Sequence, residues 1–117
     1  FQVRDLIEAL GADLGQLGLD AVASLRVDGG MVANGWFVQC LADTIGLPVE
    51  RSALAETTAL GAAYHAGLAA GVWGSRAELA ALAQGVATFE PAMSADERAS
   101  RYGGWQEAVR RTRERAE

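Results

Sequence analysis

LRVDGGMVANGWF (residues 25–37) runs a short apolar stretch into an acid, a pair of glycines and then helical spacing. The segment Ser24 to Asp28 is too short and too apolar for anything but a buried strand, while Met31 to Ile45 keeps a helical period through Ala33, Phe37, Leu41 and Ile45. Between them, Gly29 and Gly30 let the backbone take positive φ and leave no Cβ in the way. Two readings of the bend stand side by side. In one, the glycines only form the turn and Asn34 is an exposed residue of the first helical turn. In the other, they leave a flat slot, and Asn34, one turn on from Gly30, offers an amide donor and an acceptor to whatever fills it. Asp28 is equally open: its carboxylate caps the turn that follows, or it faces a nucleotide site.

Moving outward, Gly46 is the expected stop of the helix that begins after the bend. Pro48 favours extended backbone at Leu47, so LPVER reads as a second short strand. Thr57 to about Ala70 reads as a helix with Ala59, Ala63 and Gly67 along one line, small side chains that admit a close neighbour. Leu60, Tyr64 and Leu68 form a larger stripe beside it. Ser75 with Glu78, and Ser94 with Glu97, have the Ser-x-x-Glu spacing of a helix start. The last helix runs from about Ala95 toward Glu114. Gly103 and Gly104 weaken it by about 1 kcal/mol each relative to Ala, which predicts compensating close packing there. At the other end, Val3, Ile7, Leu10 and Leu14 mark residues 1 to about 14 as an amphipathic helix with one buried side. Two short strands do not make a stable sheet. The sequence therefore predicts an α/β, helix-rich part of a domain with an incomplete sheet, completed by residues before Phe1 or by another chain.

Composition narrows the chemistry. The chain has 117 residues, 50% of them hydrophobic, and a net charge of -5. That charge argues against a nucleic-acid surface, which needs clustered cations facing phosphates. All ten cations are Arg, and four of them, Arg110, Arg111, Arg113 and Arg115, crowd the end of the last helix, where the helix dipole favours them. No apolar run nears the about 20 residues that cross a bilayer, so no membrane insertion is expected. Cys40 has no disulfide partner in the chain and reads as a small buried apolar residue, and His65 as a surface or packing residue. The cytoplasm is the expected location. Phe1 is not an initiator Met, which predicts a chain that begins inside a longer protein. The sequence has neither GxxxxGK[ST] nor GxGxxG, and no histidine cluster for a metal.

LRVDGGMVANGWFVQCLADTIGLPVERS, followed by ETTALGAAYHAGLAAGVW and RYGGWQEAVRR, resembles the C-terminal portion of the glycerol kinases, members of the FGGY carbohydrate kinases. The glycine pair, the AD..G.PV stretch and the GAA helix are shared by sugar kinases of the superfamily. The full VDGG..AN with PVER and E.TALGAA..AGLA.G.W is similar to glycerol kinases in particular. The resemblance implies a ribonuclease-H-like, actin-like ATPase architecture, with residues 1–117 as the latter part of the C-terminal, nucleotide-side domain. It implies a kinase that moves the γ-phosphoryl group of ATP to glycerol, with ATP and Mg²⁺ as cofactors and Mg²⁺ held mainly by other parts of the protein. In the family the glycine pair and the asparagine after it border adenine and ribose, which carries over to Gly29, Gly30 and Asn34.

The family's base, glycerol pocket and phosphate loop align with nothing in this chain, so no catalytic and no metal-binding residue is assigned in it. The full-length protein is expected to be a homo-oligomer that binds ATP or ADP and meets glycerol through its other residues. Gly35 and Trp36 depart from the second Asn and apolar residue common in relatives, which alters the wall of the adenine slot. In some enteric members a sugar-transport regulator docks on the segment matching FEPAMSADER. Ala92 replaces the usual glycine there and Ser94 a common acid, so docking is not expected of this chain. Two other readings remain at this stage: the same scaffold acting on another polyol or sugar such as xylulose, and a non-catalytic interaction module.

Overall fold

The computed structural model describes residues 1–53, 57–82 and 86–115. Its elements are α1 (Gln2–Gln16), β1 (Leu25–Val27), a 3₁₀ turn (Gly30–Ala33), α2 (Gly35–Ile45), β2 (Val49–Ser52), α3 (Thr57–Ala69), α4 (Arg76–Ala81), β3 (Val86–Phe89) and α5 (Ala95–Glu114). The centre is α2 lying on a three-stranded sheet of order β1-β2-β3. β1 and β2 run parallel, with Leu25 opposite Val49, and the bend plus α2 make the crossover that a parallel pair requires. β3 returns antiparallel, with Phe89 opposite Val49. Val38, Ala42 and Val49 are 0% exposed, and Leu25, Val27, Phe37, Leu41, Ile45 and Phe89 pack around them.

Side chains alternate across a strand, so the residues between these apolar ones face the other way. There, Arg26 Nε donates to Glu50 Oε2 at 2.7 Å and Ser24 Oγ to Glu50 Oε1 at 3.1 Å. The expectation of a fully buried first strand is corrected accordingly: β1 has one apolar and one polar face, and Arg26 is exposed. The expected source of further strands is corrected too. A third strand comes from Val86–Phe89 of the same chain, although β1 has a partner on one edge only among the described residues.

Gly46 ends α2 at φ 73°, in the left-handed region, with its N–H donating to Ala42 O at 2.9 Å. It also makes room for a side chain: an added Cβ would lie 2.6 Å from Nη1 of Arg98. Arg98 Nε donates to Asp43 O at 2.7 Å, and Nη2 to Met93 O at 2.9 Å. The Asp43 carboxylate accepts from the backbone N–H of Ala92 at 2.6 Å and of Met93 at 3.0 Å. Burial pushes Asp43 up, but those amides, Gln39 and the charge of Arg98 outweigh it and hold it below the ordinary carboxylate value. The start of α5 is thereby tied to the end of α2.

Further along, α5 docks on α1. The Tyr102 hydroxyl, buried, donates to Asp5 and lies 3.1 Å from Glu8 Oε2, and Trp105 Nε1 donates to Asp5 Oδ2 at 2.9 Å. The Arg4 guanidinium stands 3.9 Å over the Tyr102 ring. These bonds, Tyr102 first, lower the Asp5 carboxyl, and the same bond to Asp5 pushes the Tyr102 hydroxyl up to about 12. No residue of α1 is fully buried, however, and Leu6 and Leu10 are exposed. Of the predicted stripe, Ile7 and Leu14 are half-buried while Val3 and Leu10 are exposed, so the described residues cover that side only in part.

Both predicted serine caps are present: Ser75 Oγ accepts from Glu78 N at 3.2 Å and Ser94 Oγ from Glu97 N at 3.3 Å. On α3 the row of small residues meets a close neighbour only at Gly67, where the Trp73 ring occupies the space of a Cβ and stands edge-on to Tyr64. Gly103 and Gly104 have open space around them instead of the close packing predicted. Their helix is supported by ion pairs along its own surface, such as Glu107 with Arg110 and Arg111, both at 2.7 Å. The radius of gyration is 18.3 Å, against about 13 Å for a compact domain of this length.

Three outcomes are expected. Val38→Ala costs about 2 kcal/mol of unfolding free energy, from the methyl groups lost and the cavity left. Gly46→Ala costs about 1–2 kcal/mol for left-handed backbone alone, and more if Arg98 is displaced; denaturant melts of both variants check these values. Asp5 has a lowered pKa in the folded state, so its contribution is complete above its ordinary value of 3.8 and is lost as pH falls through the lower folded value. Acid titrations of stability should show that loss in the wild type and not in Asp5→Asn.

Candidate nucleotide-binding site

The bend after β1 is built by backbone geometry. Gly29 takes φ 92° and ψ 175°, a conformation reserved for glycine, and its carbonyl accepts from Val32 N at 3.3 Å to open the 3₁₀ turn. Among the described residues, adjacent ones apart, no atom lies within 4 Å of a Cβ placed on Gly29 or Gly30, so the bend is bare there. Asn34 closes the turn, its N–H donating to Met31 O at 3.2 Å. The expected continuous helix from Met31 is thus broken in two. Asn34, at φ -77° and ψ 101°, sits at the junction as the N-cap of α2.

That position divides its carboxamide. Oδ1 accepts from the backbone N–H of Trp36 at 3.1 Å and of Phe37 at 3.3 Å, satisfying two of the helix's open donors. The amide nitrogen donates to no described residue. The prediction that Asn34 offers both a donor and an acceptor is corrected to a donor alone, because the helix end takes the oxygen.

Two contacts hold the bend from behind. Arg51 Nη1, on β2, donates to Val32 O at 3.2 Å, with its guanidinium 5.2 Å from the centre of the Phe89 ring. The Asp28 carboxylate accepts from the Thr57 hydroxyl at the first residue of α3. Of the two readings of Asp28, capping of its own turn does not occur: the 3₁₀ turn has no side-chain cap. Arg51 and Thr57 were not visible as site residues in the sequence. Their roles follow from strand register and from the return of α3, neither of which has a local signal.

The predicted residues Gly29, Gly30 and Asn34 therefore lie together on one open shelf at the carboxyl end of β1, where ligands sit in open α/β sheets. Met31 and Trp36 flank it, 70% and 76% exposed. Two grooves among the described residues lie elsewhere, about 410 Å³ beside Asp5 and Trp105 and about 520 Å³ beside Tyr64 and His65. Neither includes a residue of the bend, which is a one-sided surface and needs a facing wall to enclose a ligand. Cys40 is exposed on α2 rather than buried as predicted, and the described residues hold no group of three or more His, Cys, Asp or Glu placed for a metal. No helix among them is long and apolar enough to cross a membrane.

Comparison with known proteins bears on this arrangement. Residues 1–70 match the model of the C-terminal domain of the FGGY family of carbohydrate kinases. A glycerol kinase of Rhodospirillum centenum is 50% identical over 113 residues, covering 97% of this chain and 22% of the relative. One from Symbiobacterium thermophilum is 50% identical over 116 residues, also 22% of its length. The crystal structure of Plasmodium falciparum glycerol kinase with ADP superposes at a TM-score of 0.72 and 34% identity, covering 93% of this chain and 22% of that one. The chain thus spans about a fifth of the length of these relatives, and its helix-rich mixed sheet is part of an actin-like ATPase fold. With the family model matched over more than half of its residues and the relatives aligned along nearly all of them, this chain belongs to the FGGY family of carbohydrate kinases.

Proposed function

We propose that this chain is the nucleotide-side part of an ATP-dependent glycerol phosphotransferase, which moves the γ-phosphoryl group of ATP to a terminal hydroxyl of glycerol and gives glycerol 3-phosphate. The observation that carries the reading is the bare shelf of Gly29 and Gly30 beside a free Asn34 amide, in a chain half identical to glycerol kinases. A purine presents ring nitrogens that accept hydrogen bonds, which matches a lone donor. Its flat face suits backbone without side chains. Base and ribose carry no charge, so a surface with net charge -5 does not repel them.

Residues 1–117 are read as the latter part of the C-terminal domain, extending beyond the residues that the family model matches. Phosphoryl transfer needs mostly positioning and charge neutralisation. The share of this chain is to fix the nucleoside end. The described residues offer no ligand cluster for Mg²⁺, so the metal, the base that accepts the glycerol proton and the glycerol pocket are assigned to the remainder of the full-length protein. That remainder also covers the exposed Leu6 and Leu10 of α1 and the open edge of β1. The full-length protein is read as a cytoplasmic homo-oligomer using ATP and free glycerol, with no nucleic-acid partner.

Asn34→Asp and Asn34→Ser keep an oxygen for the α2 cap while deleting the amide donor, so they separate binding from folding. In the full-length protein each should preserve the melting temperature and weaken ATP roughly 2- to 12-fold, the value of one hydrogen bond. Calorimetric titration with ATP decides it, and unchanged affinity in both variants refutes the site. ATP consumption by the full-length protein should depend on added glycerol, whereas residues 1–117 alone should phosphorylate none; turnover by this chain alone contradicts the division of labour.

A further inference from the structure

Resting on the nucleotide reading, we infer that Arg51 is a positioning residue for nucleotide binding: acting through the main chain of Val32, it seats the 3₁₀ turn that leads into Asn34. Arg51 is the third residue of β2, the middle strand, and is paired with Val27 of β1 on one side and Ala87 of β3 on the other. Side chains two apart on a strand share a face, so Arg51 lies on the same side of the sheet as the buried Val49, the side that α2 covers. It is half-buried there. Its guanidinium stands 5.2 Å from the centre of the Phe89 ring, within the range at which a ring attracts a cation. A strand bonded along both edges gives this long side chain a stiff base.

What the side chain holds is a carbonyl: Nη1 donates to Val32 O at 3.2 Å. The turn's own bonds, Val32 N–H to Gly29 O and Asn34 N–H to Met31 O, fix its shape and not its seat. Burial of the Val32 side chain keeps the turn against the core, but apolar burial has no direction, whereas a hydrogen bond to a carbonyl fixes the peptide plane. That plane joins Val32 to Ala33, and Asn34 follows directly. On the far side of the glycines, the Asp28 carboxylate is bonded to the Thr57 hydroxyl of α3. The chain is therefore held on both flanks of Gly29–Met31, and Arg51 holds the flank next to the carboxamide.

The test uses the full-length protein with Arg51→Met, Arg51→Lys, Asn34→Asp and the double variant of Arg51→Met with Asn34→Asp, read by calorimetric titration with ADP and by kcat and KM for ATP and glycerol. Met keeps an unbranched apolar stem and loses the donor, while Lys keeps a donor without the planar fork. Arg51→Met should weaken ADP and raise the KM for ATP about 2- to 12-fold, the range of one hydrogen bond, with kcat and the KM for glycerol within about twofold of wild type, because the bend meets only the nucleoside end. Arg51→Lys should lose less. In the double variant the loss should fall short of the product of the two single losses, since Arg51 acts through the donor that Asn34→Asp has already removed. Unchanged ADP affinity in Arg51→Met, losses that multiply in full, or a fall in kcat with both KM values unchanged, which marks lost folded protein, each overturns the inference. If Arg51→Met does not fold, Arg51→Lys takes its place in every comparison. Should Asn34→Asp weaken ADP where the Arg51 variant does not, the positioning role is refuted and the nucleotide site stands. Should neither weaken it, the nucleotide reading fails as well.

Discussion

The carboxamide oxygen of Asn34 accepts two backbone amides at the start of α2, and the geometry of the site descends from that pair of bonds. A helix begins with four N–H groups that lack partners, and capping two of them from an extended residue stops the 3₁₀ turn from running straight into α2. It also orients the carboxamide, because an oxygen held by two donors leaves the amide nitrogen no choice of direction.

That bend stays open because the elements around it are anchored elsewhere. Val32, in the middle of the 3₁₀ turn, is buried in the core, and its carbonyl is held by Arg51 from the neighbouring strand. Asp28 and Thr57 join the end of β1 to the beginning of α3. These contacts tie the turn to β2, α3 and the core.

Attachment of α5 follows a different principle. Tyr102 is its one buried residue among those described, so polar and aromatic bonds hold it instead of a broad apolar face. Asp43 and Arg98 secure its first turn to α2, and Asp5 gathers Tyr102 and Trp105 onto α1. The last turns carry exposed ion pairs of Arg110 and Arg111 with Glu107 and Glu114, which water screens. Carboxylates carry both docking points, which makes acid the condition that loosens this helix first.

Much of this was legible in the residues because it is local. The stops and starts at Gly46, Ser75 and Ser94 concern partners within four residues, and each stands where its residue type predicts. The cap at Asn34 was not read from the residues, because the helical period through Ala33 placed Asn34 inside the helix. β3 was not read from the residues: four residues between Gly85 and Pro91 are too short a run to stand out, and they pair as a strand along the edge that β2 offers. The polar face of β1 was hidden in the same way, since Arg26 finds Glu50 through strand register. The chain by itself determined its helix limits, its glycine bend and its family, all written in interactions that close within a turn or in motif order. Tertiary structure decided which face of the sheet is dry and which strand extends it, because those depend on what distant segments cover.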